Sequence, residues 1–139
     1  MHKIIIPGIL CLFVILAYAC QNEAEIEQAR YYANGKDIYE AHCQNCHGSK
    51  GEGLARLAPP LTDTTFFKNN KEKIACFIKY GTETPMTIHG ITYQEKMPAF
   101  GEMQSIDIAQ VIVYLTNSFG NRQGMYNFEQ VANDLENCR

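Results

Sequence analysis

Two thiols and an imidazole stand together at Cys43-Gln44-Asn45-Cys46-His47. Cysteines three positions apart with a histidine directly after the second match the c-type haem attachment signature. The chemistry sets the spacing. Each thiol adds across one vinyl group, so two thioether bonds fix the ring to the backbone. The histidine that follows then lies beneath the iron as its proximal ligand. A thioredoxin-like CxxC would instead follow a strand in a βαβ pattern, which this sequence lacks. Half a zinc site would require a second Cys/His pair at suitable spacing, and the chain has none.

Haem attachment of this kind takes place outside the cytoplasm, and the chain opens with a segment that suits export. Residues 1–19 read as a signal peptide: Lys3 supplies the positive end, and Ile4 to Ala19 run apolar, interrupted only by Pro7 and Gly8. The run is shorter than the roughly 20 residues that span a bilayer comfortably, which favours a cleavable signal over a permanent anchor. Ala17-Tyr18-Ala19 fits a small-x-small cleavage site, and Cys20 follows at once. That placement resembles a bacterial lipoprotein signal, with Ala17 where leucine is usual. Cys20 would then be lipidated; simple secretion is the alternative.

The remaining cysteines follow from this count. Of six, Cys11 leaves with the signal, Cys20 is the lipidation candidate, and Cys43 and Cys46 are the haem candidates. Cys76 and Cys138 are left in an oxidising compartment, where a disulfide is the natural assignment and two unpaired buried thiols are the other. Formal charge is −3, and becomes −4 when Lys3 departs with the signal. No basic run is present, so the pattern excludes a nucleic-acid partner.

The elements that must position these groups read as helices. Residues 20–33, with Glu23, Glu25 and Glu27, read as a solvated, lipid-anchored tether, and the domain spans 34–139. Asn34 is placed to cap a helix carrying Gly35, Ile38 and Tyr39 on one face and the Cys/His motif at its end. Three glycines between Gly48 and Gly53 predict a loop, without the strand or Lys-Ser/Thr ending of a phosphate cradle. Thr62 opens a short turn through Phe66 and Phe67. Asn70 caps a helix over 71–79 with Ile74, Phe77 and Ile78 inward and Gly81 as its stop. Residues 82–104 are too polar for a core strand and predict a long functional loop. Ser105 caps the strongest helix, 106–118. Asn127-Phe128-Glu129-Gln130 opens a last helix, from about residue 127 to Cys138, in capping-box fashion. The fold class is all-α, with about five helices around one long loop.

With these motifs in order, residues 33–120 resemble a class I monohaem c-type cytochrome domain. An early helix ends in CxxCH, Ala58-Pro59-Pro60-Leu61 follows, and Tyr93 to Phe100 reads Tyr-Gln-Glu-Lys-Met-Pro-Ala-Phe. The chain then enters an Ile/Ala-rich helix ending Tyr114 to Asn121. The resemblance implies one covalently bound haem c, with His47 and a methionine as axial ligands. It also implies that the Pro59 carbonyl accepts a hydrogen bond from the His47 ring, that Leu61 packs on the haem, and that the first and main helices cross near Gly35 and Tyr114. Residues 122–139 lie outside it.

Met86, Met97, Met103 and Met125 all follow the haem motif. Met97 lies 50 positions after His47, sits mid-loop, precedes Pro98 and carries the family motif; Met86 is the alternative. His42, beside Cys43, cannot reach the opposite face easily, and His89 reads as an exposed loop histidine. Tyr31, Tyr32, Tyr93 and Phe100 read as core or haem-edge packing. An iron with both axial positions filled shuttles one electron, so the expected role is an electron carrier rather than an enzyme. Expected partners are a quinol-oxidising complex, a dehydrogenase, or a terminal oxidase or reductase, met at the periplasmic face of a bacterial membrane. A fixed haem c subunit of such a complex is the alternative. A haem peroxidase or sensor would need an open iron position.

Overall fold

The computed structural model describes residues 23–138 except Thr84 and His89. The expected signal over 1–19, Cys20 with its lipid, and the loop histidine His89 lie outside the described residues. The chain divides into two compact units, Met1–Arg30 and Tyr31–Arg139, and the second holds the core. Helix α1 covers residues 23–42, so Asn34 is an exposed interior position of that helix and not its cap. Ala24, Glu25, Glu27, Gln28 and Ala29 are good helix formers, and their propensity carries the helix upstream through the charged stretch that had read as a tether.

After α1 come α2 (Gln44–His47), α3 (Thr64–Asn69), α4 (Lys71–Tyr80), α5 (Ser105–Thr116) and α6 (Phe128–Glu136). The fold is mainly helical, with six helices among the described residues. Helix α5 is the centre of the core: every residue from Val111 to Thr116 is buried, so it is surrounded on all sides. It crosses α1 at Gly35, where an added Cβ would fall 1.9 Å from the Gln110 carbonyl oxygen and 3.0 Å from the Tyr114 Cβ. Only glycine lets the two backbones approach so closely. Tyr39, fully buried beside this crossing, stacks obliquely against Tyr114 and Phe119 at 5.2 and 5.4 Å.

Local side chains set the helix ends. Asp63, not Thr62, opens α3: its Oδ1 accepts from the Thr65 and Phe66 amides, both at 3.0 Å. The Asn70 side chain donates to the Phe66 carbonyl at 3.0 Å and so closes α3, while Gly81 stops α4. Helix α5 begins one residue earlier than the Ser105 cap implied. Gln104 precedes it, and the Gln104 amide donates to Asp107 Oδ2 at 3.0 Å. It also ends earlier, because the Asn117 side chain donates to the Val113 and Gly124 carbonyls at 2.8 Å and turns the chain back. Asn127 and Gln130 form the reciprocal capping box that opens α6. Helix α6 packs on α4 and α5, and Cys138 just beyond it is bonded to Cys76 of α4, with their Cα atoms 5.6 Å apart.

Residues 82–104 are not wholly loop. They contain an antiparallel hairpin, β1 (Met86–Ile88) and β2 (Ile91–Tyr93), in the register Met86 to Tyr93. The stretch looked too polar for strands because each is three residues long and turns only part of its side chains inward. Ile88 and Tyr93 are the buried ones. Gly90, at φ 76°, takes the left-handed position in the connection between the strands.

Candidate haem site

The Cys/His motif forms the short α2 and the residues on either side of it. The Tyr39 hydroxyl donates to the Gly48 carbonyl at 2.6 Å, fastening the motif's exit to the core. The following glycine loop folds back on it: Gly53 N–H reaches the His47 carbonyl at 2.8 Å, and Leu61 N–H reaches the Gly51 carbonyl at 2.8 Å. That fold brings the Pro59 carbonyl oxygen to 2.9 Å from His47 Nδ1. A carbonyl can only accept, so the proton sits on Nδ1 and the lone pair of Nε2 is left for a metal. Burial lowers the His47 pKa, opposed by the Pro59 hydrogen bond, and the ring is held in its neutral, ligating form.

His47 opens onto a cavity of about 380 Å³. Cys43 and Cys46 also border it, and neither thiol is paired. Burial, with the neighbouring Cys46, pushes the Cys43 thiol up to about 11. Pro59 and Leu61 line the cavity from the loop, and Asn121 Nδ2 steadies Leu61 by donating to its carbonyl at 3.3 Å. Helices α3 and α4 contribute Phe66, Phe67, Ile74, Phe77 and Ile78, while Leu115 comes from α5. The lining is therefore apolar over most of its extent, with Glu95 and Lys96 as its charged members. Two thiols, one oriented imidazole and an apolar enclosure form a donor set and a shape that fit a haem attached through its vinyl groups.

Met97 lies on the same cavity, and its backbone is pinned to the end of α4. Thr82 N–H donates to the Met97 carbonyl at 3.0 Å, and Met97 N–H donates to Thr82 Oγ1 at 3.0 Å. Gly81 allows this approach: a Cβ there would lie 2.4 Å from the Met97 carbonyl oxygen. Met86, half-buried in β1, borders the cavity too, so the structure brings both methionine candidates together. Met103 and Met125 pack against the hydrophobic core instead. His42 is exposed, edge-on to Phe100 at 5.7 Å. Tyr31 and Tyr93 are buried, and Tyr32 is exposed with its ring 5.1 Å from Tyr114. Sequence reasoning missed Ile88 and Tyr93 as paired wall residues; the Ile-Thr-Tyr run beside Gly90 was the available signal. It also missed Thr82, for which sequence offered none.

The decisive comparison is with known families. The model of the family described as cytochrome C oxidase, cbb3-type, subunit III matches residues 31–115, which holds the motif, the loop, both methionines and nearly all of α5. The chain belongs to this family. It is a c-type cytochrome domain, its family carries haem c, and its activity is haem-based electron transfer. Cytochrome c-552 of Thermus thermophilus is 25% identical over 101 residues, covering 70% of this chain and 76% of that protein. The protein of the same name from a second strain of that species is likewise 25% identical over 101 residues, with 70% of this chain and 68% of that protein covered. The fructose dehydrogenase cytochrome subunit of Gluconobacter japonicus is 30% identical over 106 residues, which is 70% of this chain and 21% of that larger protein. Helix α6 lies beyond the matched family region. Among the described residues, no helix is long and apolar enough to cross a membrane.

Proposed function

We propose that this cytochrome domain carries one electron at a time on a single haem c, bound through Cys43 and Cys46 and ligated by His47 and Met97. The observation that carries the reading is the His47 ring, held by the Pro59 carbonyl with its free nitrogen available to the cavity that Met97 also borders. The haem supplies a one-electron Fe(II)/Fe(III) couple when bound. The protein supplies the rest. The two thiols anchor the group, the Pro59 bond fixes the imidazole's tautomer and orientation, and the Thr82 contacts hold the methionine segment in place. A neutral thioether sulfur favours the ferrous state and raises the potential, as does the apolar lining. Filling both axial positions leaves no site for oxygen or peroxide, which argues for a carrier and against a peroxidase or sensor.

The chain is exported and held by a lipid on Cys20 at the periplasmic face of a bacterial membrane. It exchanges electrons there with a quinol-oxidising complex or dehydrogenase on one side and a terminal oxidase or reductase on the other. A second reading, a fixed subunit of a dehydrogenase complex, draws on the similarity to a fructose dehydrogenase cytochrome subunit. The ligand assignment is tested with Met97→Ala, alongside Met86→Ala. Met97→Ala should keep its covalent haem, lose the ferric methionine-to-iron charge-transfer band and fall substantially in potential. If Met97→Ala leaves band and potential unchanged and Met86→Ala removes them, the sixth ligand is Met86.

A further inference from the structure

Helix α4 ends as a platform for the methionine segment. Phe100 N–H donates to the Ile78 carbonyl at 3.1 Å, and Lys79 Nζ donates to the Gly101 and Met103 carbonyls at 2.6 and 2.8 Å. These contacts hold the segment C-terminal to Met97. Met97 itself is held by one residue, because Thr82 satisfies both its N–H and its carbonyl. The two bonds differ in kind. Any residue at position 82 with a backbone amide can make the bond to the Met97 carbonyl. The bond from the Met97 amide needs a side-chain oxygen on a short stem.

We infer that Thr82 is a positioning residue for the iron's sixth ligand: its hydroxyl closes the Met97 segment over the cavity and sets how readily the methionine leaves. This rests on the reading that Met97 binds iron. Met97 and Thr82 are both half-buried. An amide that loses its acceptor in such a place costs free energy unless it turns to water, and turning to water means lifting Met97 away. The closed state is thereby weakened relative to an open one while the rest of the fold keeps its contacts. The hydroxyl acts on the methionine through the backbone and touches neither sulfur nor iron, so its signature is ligand exchange.

The test is titration of the ferric full-length holoprotein with imidazole, a ligand that enters only when methionine departs. Thr82→Val keeps the β-branch and the backbone amide and deletes only the hydroxyl. It should bind imidazole about tenfold more tightly than wild type, the equivalent of about 1.4 kcal/mol. Thr82→Ser, which keeps the oxygen, should return the Kd to within about twofold of wild type. A wild-type Kd in Thr82→Val would overturn the inference, even if its denaturation midpoint fell. Hydrogen exchange in the unaltered protein supplies a reading that needs no variant: the Met97 amide should be protected to the degree of the last turn of α4, and fast exchange there overturns the assignment. Met97→Ala separates the two levels. If it leaves the wild-type band and imidazole affinity intact, the ligand assignment fails. If it opens the iron while Thr82→Val is unaffected, only the role of Thr82 fails.

Discussion

Replacing Gly81 by alanine should strain the site and the fold together. Gly81 ends α4 at φ 71° and ψ −164°, a backbone region that is essentially confined to glycine. Holding an alanine there costs about 1–3 kcal/mol in local strain. The new Cβ would also stand 2.4 Å from the Met97 carbonyl oxygen and 2.9 Å from the Ala99 amide nitrogen. Both are backbone atoms that cannot swing aside, and overpacking of this sort adds about 1–3 kcal/mol. Two routes relieve the strain. Either the whole fold loses about 2–6 kcal/mol, or the Met97 segment lifts and the iron loses its methionine while the helices stay intact. Guanidinium unfolding followed by far-UV circular dichroism reads the first, and the ferric charge-transfer band reads the second. Gly90→Ala is the internal control: its φ is 76°, but no atom lies within 4 Å of the added Cβ. It should cost only about 1–2 kcal/mol and leave the band untouched. A Gly81→Ala protein within about 0.5 kcal/mol of wild type and with its full methionine band would refute the reasoning.

The disulfide and the anchor give two further expectations. The Cys76–Cys138 bond closes a loop with a sequence separation of 62, for which chain entropy predicts about 4 kcal/mol. Val131 and Asp134 also hold α6 by burial, so the double variant Cys76→Ser/Cys138→Ser should lose about 2–4 kcal/mol in denaturant and loosen α6, with an unchanged haem spectrum. Equal stability in the two proteins would show that packing alone secures the C-terminus. Cys20→Ser should move the exported protein from the membrane fraction to the soluble one, because a removed lipid takes most of the membrane affinity with it; persistence in the membrane fraction after signal cleavage would exclude the lipid anchor.

The site was legible wherever chemistry demands a fixed spacing. Cys43, Cys46 and His47 declare themselves in five residues, and Met97-Pro98 stands in a long stretch between two clear helices. The apolar run of α5, the Gly81 stop and the Asn127/Gln130 box were legible because each follows from a local rule of helix formation. The failures were also local in origin. Several residues could start a helix, and the choice among Thr62, Asp63 and Thr64, or between Gln104 and Ser105, depends on which side chain reaches which amide in the folded chain. Asn34 is a good cap by type, yet it sits inside α1 because the preceding alanines and glutamates favour helix over an interruption. The hairpin escaped notice because three-residue strands leave almost no periodicity to detect. Thr82 was invisible for a different reason: its partner is 15 residues away, and only the fold brings the pair together.

One measurement bears most directly on the claim that this chain is a one-electron carrier with a closed iron. A spectroelectrochemical titration of the full-length holoprotein should give a single reversible wave with a slope of about 59 mV per tenfold change in the oxidised-to-reduced ratio. The methionine band of the ferric form should vanish along the same curve, and carbon monoxide added to the ferrous form should leave its spectrum unchanged. Rapid carbon monoxide binding, or a ferric spectrum without the methionine band at any potential, would contradict the account and place the protein among haem proteins with an open iron position.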